Sequence, residues 1–277
     1  MPESITIPDS AAGAGATGTL RVDHRTGPSE PTLVLLGGMT QTLASWSGQL
    51  RPMSEKRSVM AYEARGQGGT SLSLSNCGFE QHVADFEALL DAKGLQQVDL
   101  AGFSFGGRVS LAIAATLPHR IRRLVVSGVA LDRGILGKLI VQGWIAALQT
   151  GDLEALARVS LPDILGPSYL EKNAHLVEGM VKAAKTRNQY EGVKALFEHT
   201  MRLPADSPWH ASQLVGRLQC PVLTIGGSLD RLAPPAEVRA LANACGGDFL
   251  QVDDAGHTVA IEAPEQWRNA VEHFLDG

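Results

Sequence analysis

With 277 residues, the chain is long enough to bury one large core and still carry an inserted element. A hydrophobic fraction of 44% and a charged fraction of 19% fit a soluble globular protein. The net charge of -5, with no long basic run, excludes nucleic acid and anionic membranes as expected partners.

Other classes fall away as quickly. The densest basic stretch, residues 182–187, reads as one solvated helix face. Cys77, Cys220 and Cys245 are odd in number and lack metal-type spacing, so buried thiols are expected, with neither disulfides nor a metal site. No basic stretch leads into an apolar one near Met1, and no apolar run reaches membrane-spanning length. The expected location is the cytoplasm.

In chain order, residues 3–8 and 18–25 read as two edge strands joined by a glycine-rich turn. A continuous apolar run over 31–36 ends on Gly37-Gly38, as suits a strand buried on both faces. A polar loop follows, and Trp46 opens an amphipathic helix. Residues 58–62 form a second buried strand, followed by the glycine-rich loop Arg65-Gly66-Gln67-Gly68. Phe79, Val83, Phe86, Leu89 and Leu90 recur with helical period, and Gly94 ends that helix.

The strand over 98–103 leads through Ser104 into a helix that Pro118 stops, and 121–128 is a further buried strand. This alternation predicts an α/β fold, with a mostly parallel sheet of about eight strands flanked by helices. From about Arg133 to Trp209 the pattern is helical, without strands. Residues 133–209 are therefore expected to form a helical cap, and 1–132 with 210–277 the core. Strands at 221–227 and 248–252 and helices at 235–244 and 264–275 complete the chain.

The chemistry centres on Gly102-Phe103-Ser104-Phe105-Gly106-Gly107, a Gly-x-Ser-x-Gly between a strand and a helix. A serine hydroxyl is a poor nucleophile at neutral pH and needs a base held by a carboxylate. Of eight histidines, His257 lies just past the last strand on a loop opened by Gly256. His82 and His273 fall within helices, His119 ends one, His24 lies on an edge strand, and His175, His199 and His210 belong to the cap or its end. Asp230 follows the preceding strand and is the expected acid, with Asp132 as its rival.

An oxyanion needs a second donor from an earlier loop, so the backbone amides of Met39 and Phe105 are candidates. Phe103, Phe105, Met39, Gly38 and Trp46, with Trp144 and Trp209 of the cap, are expected near an apolar acyl group or ring. No cofactor is expected, and the expected partner is a small-molecule substrate.

Together these residues resemble the α/β-hydrolase superfamily, in its single-domain form with a helical cap. The resemblance is carried by Gly37-Gly38 with Trp46, Arg65-Gly66-Gln67-Gly68, the Ser104 turn, Gly227-x-x-Asp230, and Gly256-His257 followed by Glu262-Ala263-Pro264-Glu265. Two departures stand out: Gly37-Gly38 replaces the usual His-Gly, and Gln67 the usual histidine. The resemblance implies a serine hydrolase of an ester, thioester or lactone, similar to esterases, enol-lactonases and carrier-linked acyl hydrolases. Carbon–carbon hydrolysis, a lyase step, perhydrolysis, and non-enzymatic ligand binding are the alternatives that the fold also hosts.

Overall fold

The computed structural model describes residues 2–201 and 203–277. Eight strands form one sheet: β1 (Glu3–Pro8), β2 (Thr17–Arg25), β3 (Leu33–Leu36), β4 (Val59–Tyr62), β5 (Val98–Phe103), β6 (Ile121–Ser127), β7 (Val222–Gly227) and β8 (Asp248–Val252). Their order is β1-β2-β4-β3-β5-β6-β7-β8. The β1–β2 and β2–β4 pairs are antiparallel, and every later pair is parallel.

The continuous apolar runs have a direct structural cause. In β3, Leu33 and Leu35 belong to one hydrophobic cluster while Val34 and Leu36 belong to another. Successive side chains of a strand point to opposite faces, so a strand covered by helices on both sides must be apolar at every position. One cluster gathers helices α2 (Phe79–Ala92) and α3 (Phe105–Thr116). The other gathers α1 (Ser47–Ser54) and the C-terminal helix, which presents Trp267, Val271 and Leu275 at four-residue intervals. Trp267 also donates its Nε1 hydrogen to Ser127 Oγ at 2.9 Å, fastening that helix to β6.

The helix expected to begin at Trp46 begins one residue later, after a 3-10 turn over Leu43–Trp46. Trp46 instead packs on Trp267, with ring centroids 5.6 Å apart.

Between β6 and β7 the chain makes α4 (Ile135–Leu148), α5 (Leu153–Ile164), α6 (Pro167–Lys172), α7 (Val177–Arg187), α8 (Tyr190–Thr200) and the short α9 (Ala211–Leu214). Asp152 caps α5 by accepting from the Glu154 amide at 2.9 Å. α4, α5 and α8 share a third cluster, which includes Val141, Trp144, Leu156, Val193 and Phe197, whereas Ala211 and Leu214 of α9 join the cluster of α2 and α3. After β7 and β8 come α10 (Pro235–Cys245), α11 (Val259–Glu262) and α12 (Pro264–Asp276). The loops after β3, β5, β6, β7 and β8 all emerge at the C-terminal edge of the parallel strands, where open α/β sheets hold their ligands.

Candidate active site

Ser104 occupies the turn between β5 and α3 with φ 51° and ψ -114°, a conformation that side chains other than glycine rarely adopt. Its amide donates to Ser127 O at 2.8 Å, and its carbonyl accepts from the Arg108 amide at 3.0 Å, so the strained residue is held from both sides. The flanking glycines answer to space. A Cβ on Gly102 would stand 2.3 Å from Ser110 Oγ, and one on Gly106 would stand 2.4 Å from the Leu36 carbonyl oxygen. Only a chain without side chains at these points can turn this tightly against β3.

His257 Nε2 lies 2.9 Å from Ser104 Oγ, and its Nδ1 lies 2.7 Å from Asp230 Oδ2. A carboxylate accepts, so Nδ1 carries the proton and Nε2 is left to accept from the serine hydroxyl. Asp230 Oδ1 accepts in turn from the amides of Leu232 and Ala233, both at 2.8 Å. Both residues are buried, Asp230 at 4% exposure and His257 at 2%. Asp132 does not reach His257: it is exposed and pairs with Lys138 at 3.4 Å.

Three further residues hold the imidazole. Gly128 has φ 63°, and a Cβ there would stand 2.9 Å from His257 Cε1. The Phe103 ring lies 5.0 Å from the His257 ring. Glu262 ties the loop down, its Oε2 accepting from Gly166 and Gly256 amides and its Oε1 from the Thr258 amide and hydroxyl, at 2.7–3.0 Å. The amide of His257 itself donates to Ile164 O at 3.1 Å, so the end of α5 also grips this loop.

The N–H groups of Met39 and Phe105 donate to no protein acceptor among the described residues. The loop carrying Met39 is braced around Gly38, whose amide donates to Gln41 Oε1 at 2.8 Å and whose carbonyl accepts from Gln67 Nε2 at 2.7 Å. Gln67 is buried, and through this bond it holds the loop from the glycine-rich segment after β4. Gly38 lies under Phe103: a Cβ there would stand 2.8 Å from that ring.

Two cavities meet at Ser104 and His257. The smaller, about 80 Å³, is lined chiefly by apolar groups, among them Met39, Phe103, Trp144, Leu156, Ile164 and Phe197. The larger, about 340 Å³, runs under α4 past Val129, Val141, Ile145 and Leu232, and has charged groups on its wall. Of the residues expected at a pocket, Met39, Phe103 and Trp144 line the smaller cavity. Trp144 is oriented by an Nε1 hydrogen bond to Asp163 at 2.9 Å.

The remaining placements differ from expectation. Trp46 borders only a separate void of about 10 Å³. Trp209 lines neither cavity; its ring stacks on Phe79 at 6.4 Å because the chain leaving the helical excursion packs against α2. Phe105 presents its amide at the turn while its ring packs edge-on to His82, 5.3 Å away in the core.

The profile of the alpha/beta hydrolase fold family matches residues 31–264, and the chain belongs to that family. It is 28% identical over 250 residues to pyrrolizixenacetamide deacetylase of Xenorhabdus hominickii, covering 88% of this chain and 91% of that protein. It is 25% identical over 251 residues to 3-oxoadipate enol-lactonase 2 of Acinetobacter baylyi, covering 88% of each. The solved enol-lactonase of Burkholderia xenovorans LB400 superimposes with a TM-score of 0.81 at 25% identity, over 98% of this chain and all of that one.

Proposed function

We propose that this protein is a serine hydrolase that cleaves an ester, thioester or lactone through an acyl-enzyme. The observation that carries the reading is the continuous hydrogen-bonded line from Ser104 Oγ through His257 to Asp230, which is itself held by two backbone amides. His257 Nε2 takes the hydroxyl proton as Ser104 Oγ attacks the carbonyl carbon, and Asp230 stabilises the imidazolium that forms. The amides of Met39 and Phe105 are the donors for the tetrahedral oxyanion. As that intermediate collapses, the proton on Nε2 passes to the leaving oxygen or sulfur. Water, deprotonated by His257, then attacks the acyl-enzyme, and the acid returns with the proton back on Ser104.

In this reading residues 133–209 form the cap, with Trp144, Leu156 and Phe197 shaping the compartment for an apolar arm of the substrate. The deacetylase and enol-lactonase names of the relatives agree with carbonyl chemistry of this kind. The test is turnover of a panel of 4-nitrophenyl esters, thioesters and lactones by the wild type and Ser104→Ala. Hydrolysis of at least one class, lost in the variant, is the expected result. A folded wild-type protein that turns over none of them contradicts the reading.

A further inference from the structure

The larger cavity at Ser104 carries an excess of positive charge that the hydrolytic machinery does not use. Arg108, Arg133 and Lys138 all line it, together with Ser104 and His257, while His210 on the same wall is pushed toward its neutral form by burial and by the Arg108 charge. Its one carboxylate outside the hydrogen-bonded line, Asp132, is paired with Lys138 at 3.4 Å. The two arginines are left over.

Arg108 stands one helical turn after Ser104 on α3. Its Nη1 is sealed from solvent and has no hydrogen-bond partner among the described residues. Its guanidinium lies 5.0 Å above the Phe79 ring, a contact that supports a cation without neutralising it. Burial and the neighbouring Arg133 charge push Arg108 down to about 9, so it remains protonated at neutral pH, and no carboxylate among the described residues pairs with it. Arg133 is drawn down by burial too, and Asp230 and Asp132 act on it only through space. Space for its stem exists because position 137 is glycine: a Cβ there would stand 2.4 Å from Arg133 Cγ.

A buried guanidinium without an acceptor is costly unless something else supplies the negative oxygen. An open cavity beside the reacting serine is where a substrate can supply it.

We propose that Arg108, supported by Arg133, receives an anionic oxygen group of the substrate, a carboxylate or a phosphate, in the larger cavity while the reacting carbonyl lies at Ser104. This rests on the hydrolase reading above and adds its substrate class: a substrate with an acidic group as well as an apolar arm. The planar guanidinium presents parallel N–H donors that match two oxygens of such a group, and the charge makes these bonds short and strong. Neutral substrates of equal size would leave the Arg108 charge unpartnered, so the site discriminates against them.

The test uses pairs of esters that differ only in charge. Mono-4-nitrophenyl glutarate is compared with the 4-nitrophenyl ester of glutaramic acid, placing the anion on the acyl side. 4-Butyryloxybenzoate is compared with 4-butyryloxybenzamide, placing it on the leaving side. In at least one pair the wild type should favour the charged member by about tenfold or more in kcat/KM. Arg108→Gln should collapse that ratio, and Arg108→Lys should restore part of it.

Calorimetric titration with glutarate and with inorganic phosphate reads the same site without turnover. The tighter of the two identifies the oxygen group, and binding should weaken in Arg108→Gln and in Arg133→Gln. Should Arg108→Gln fail to fold, the wild-type ratios and the Arg133→Gln titration still decide the matter. Equal or reversed preference in both pairs, with glutarate and phosphate binding absent or unchanged by the substitutions, overturns the proposal. If instead no ester is turned over while the anions bind in an Arg108-dependent way, the hydrolase reading fails and the anion site stands.

Discussion

At Ser104 the backbone adopts φ 51° because β5 must turn into α3 within one residue, and Gly102, Gly106 and Gly107 leave room for that turn. Gly106→Ala would drive a methyl group to 2.4 Å from Leu36 O and 2.5 Å from Gly37 O. Backbone atoms cannot swing aside as side chains do, so the substitution is expected to lower stability by roughly 1–3 kcal/mol or more. Thermal unfolding of the variant would show it. Asp230→Asn leaves the size of the side chain unchanged but lets the amide donate, which favours the wrong imidazole tautomer. Turnover of the best ester should fall by roughly 10⁴-fold, with the fold unchanged by circular dichroism. Near-normal turnover would remove Asp230 from its proposed role, and Asp132, already paired with Lys138, would have to be reconsidered.

The elements position these residues, and here the sequence was informative in some places and silent in others. Ser104, Asp230 and His257 could be picked out because each follows an apolar strand in a fixed order, and strand ends are visible in one dimension. Glu262 and Gln67 were visible only as parts of a resemblance. Their tasks depend on which loops come together in space: Glu262 joins the His257 loop to the start of α6, and Gln67 braces the Met39 loop from 29 residues away. Glu262→Gln would turn N–H groups toward donors that the carboxylate now accepts from. The expected cost is roughly 1.5–3 kcal/mol, read by urea unfolding, together with a lower kcat as the His257 loop loosens. Gln67→Leu should leave the Gly38 carbonyl with only the Gln41 amide, at 3.1 Å, and lower kcat more than it raises KM, since the loop serves the oxyanion; an unchanged kcat would argue against that brace.

Over the whole molecule, the order of strands, the two faces of the core and the helical excursion follow from alternating apolar runs and their interruption after residue 132. What could not be read there is the character of the cavities. Aromatic residues near the turn suggested an apolar site, yet Trp46 and Phe105 turn into the core and Trp209 packs on Phe79. The cations of the larger cavity come from α3, from the segment after β6 and from α4, and the fold alone gathers them.

Distant parts are joined in the same way by Arg65, fully buried between Asp85 on α2 and Asp9 at the end of β1. Arg65→Met would strand two buried carboxylates and is expected to cost roughly 3–5 kcal/mol, measurable as a lower urea midpoint.

The central claim is that Ser104 is a nucleophile activated by its neighbours, and a fluorophosphonate probe tests it most directly. Its phosphorus takes the Oγ lone pair and releases fluoride only where the hydroxyl is activated. Covalent labelling of the wild type at Ser104, located by peptide mass and absent in Ser104→Ala, is the predicted result. A folded wild-type protein that remains unlabelled, or one that labels equally in Ser104→Ala, would contradict it.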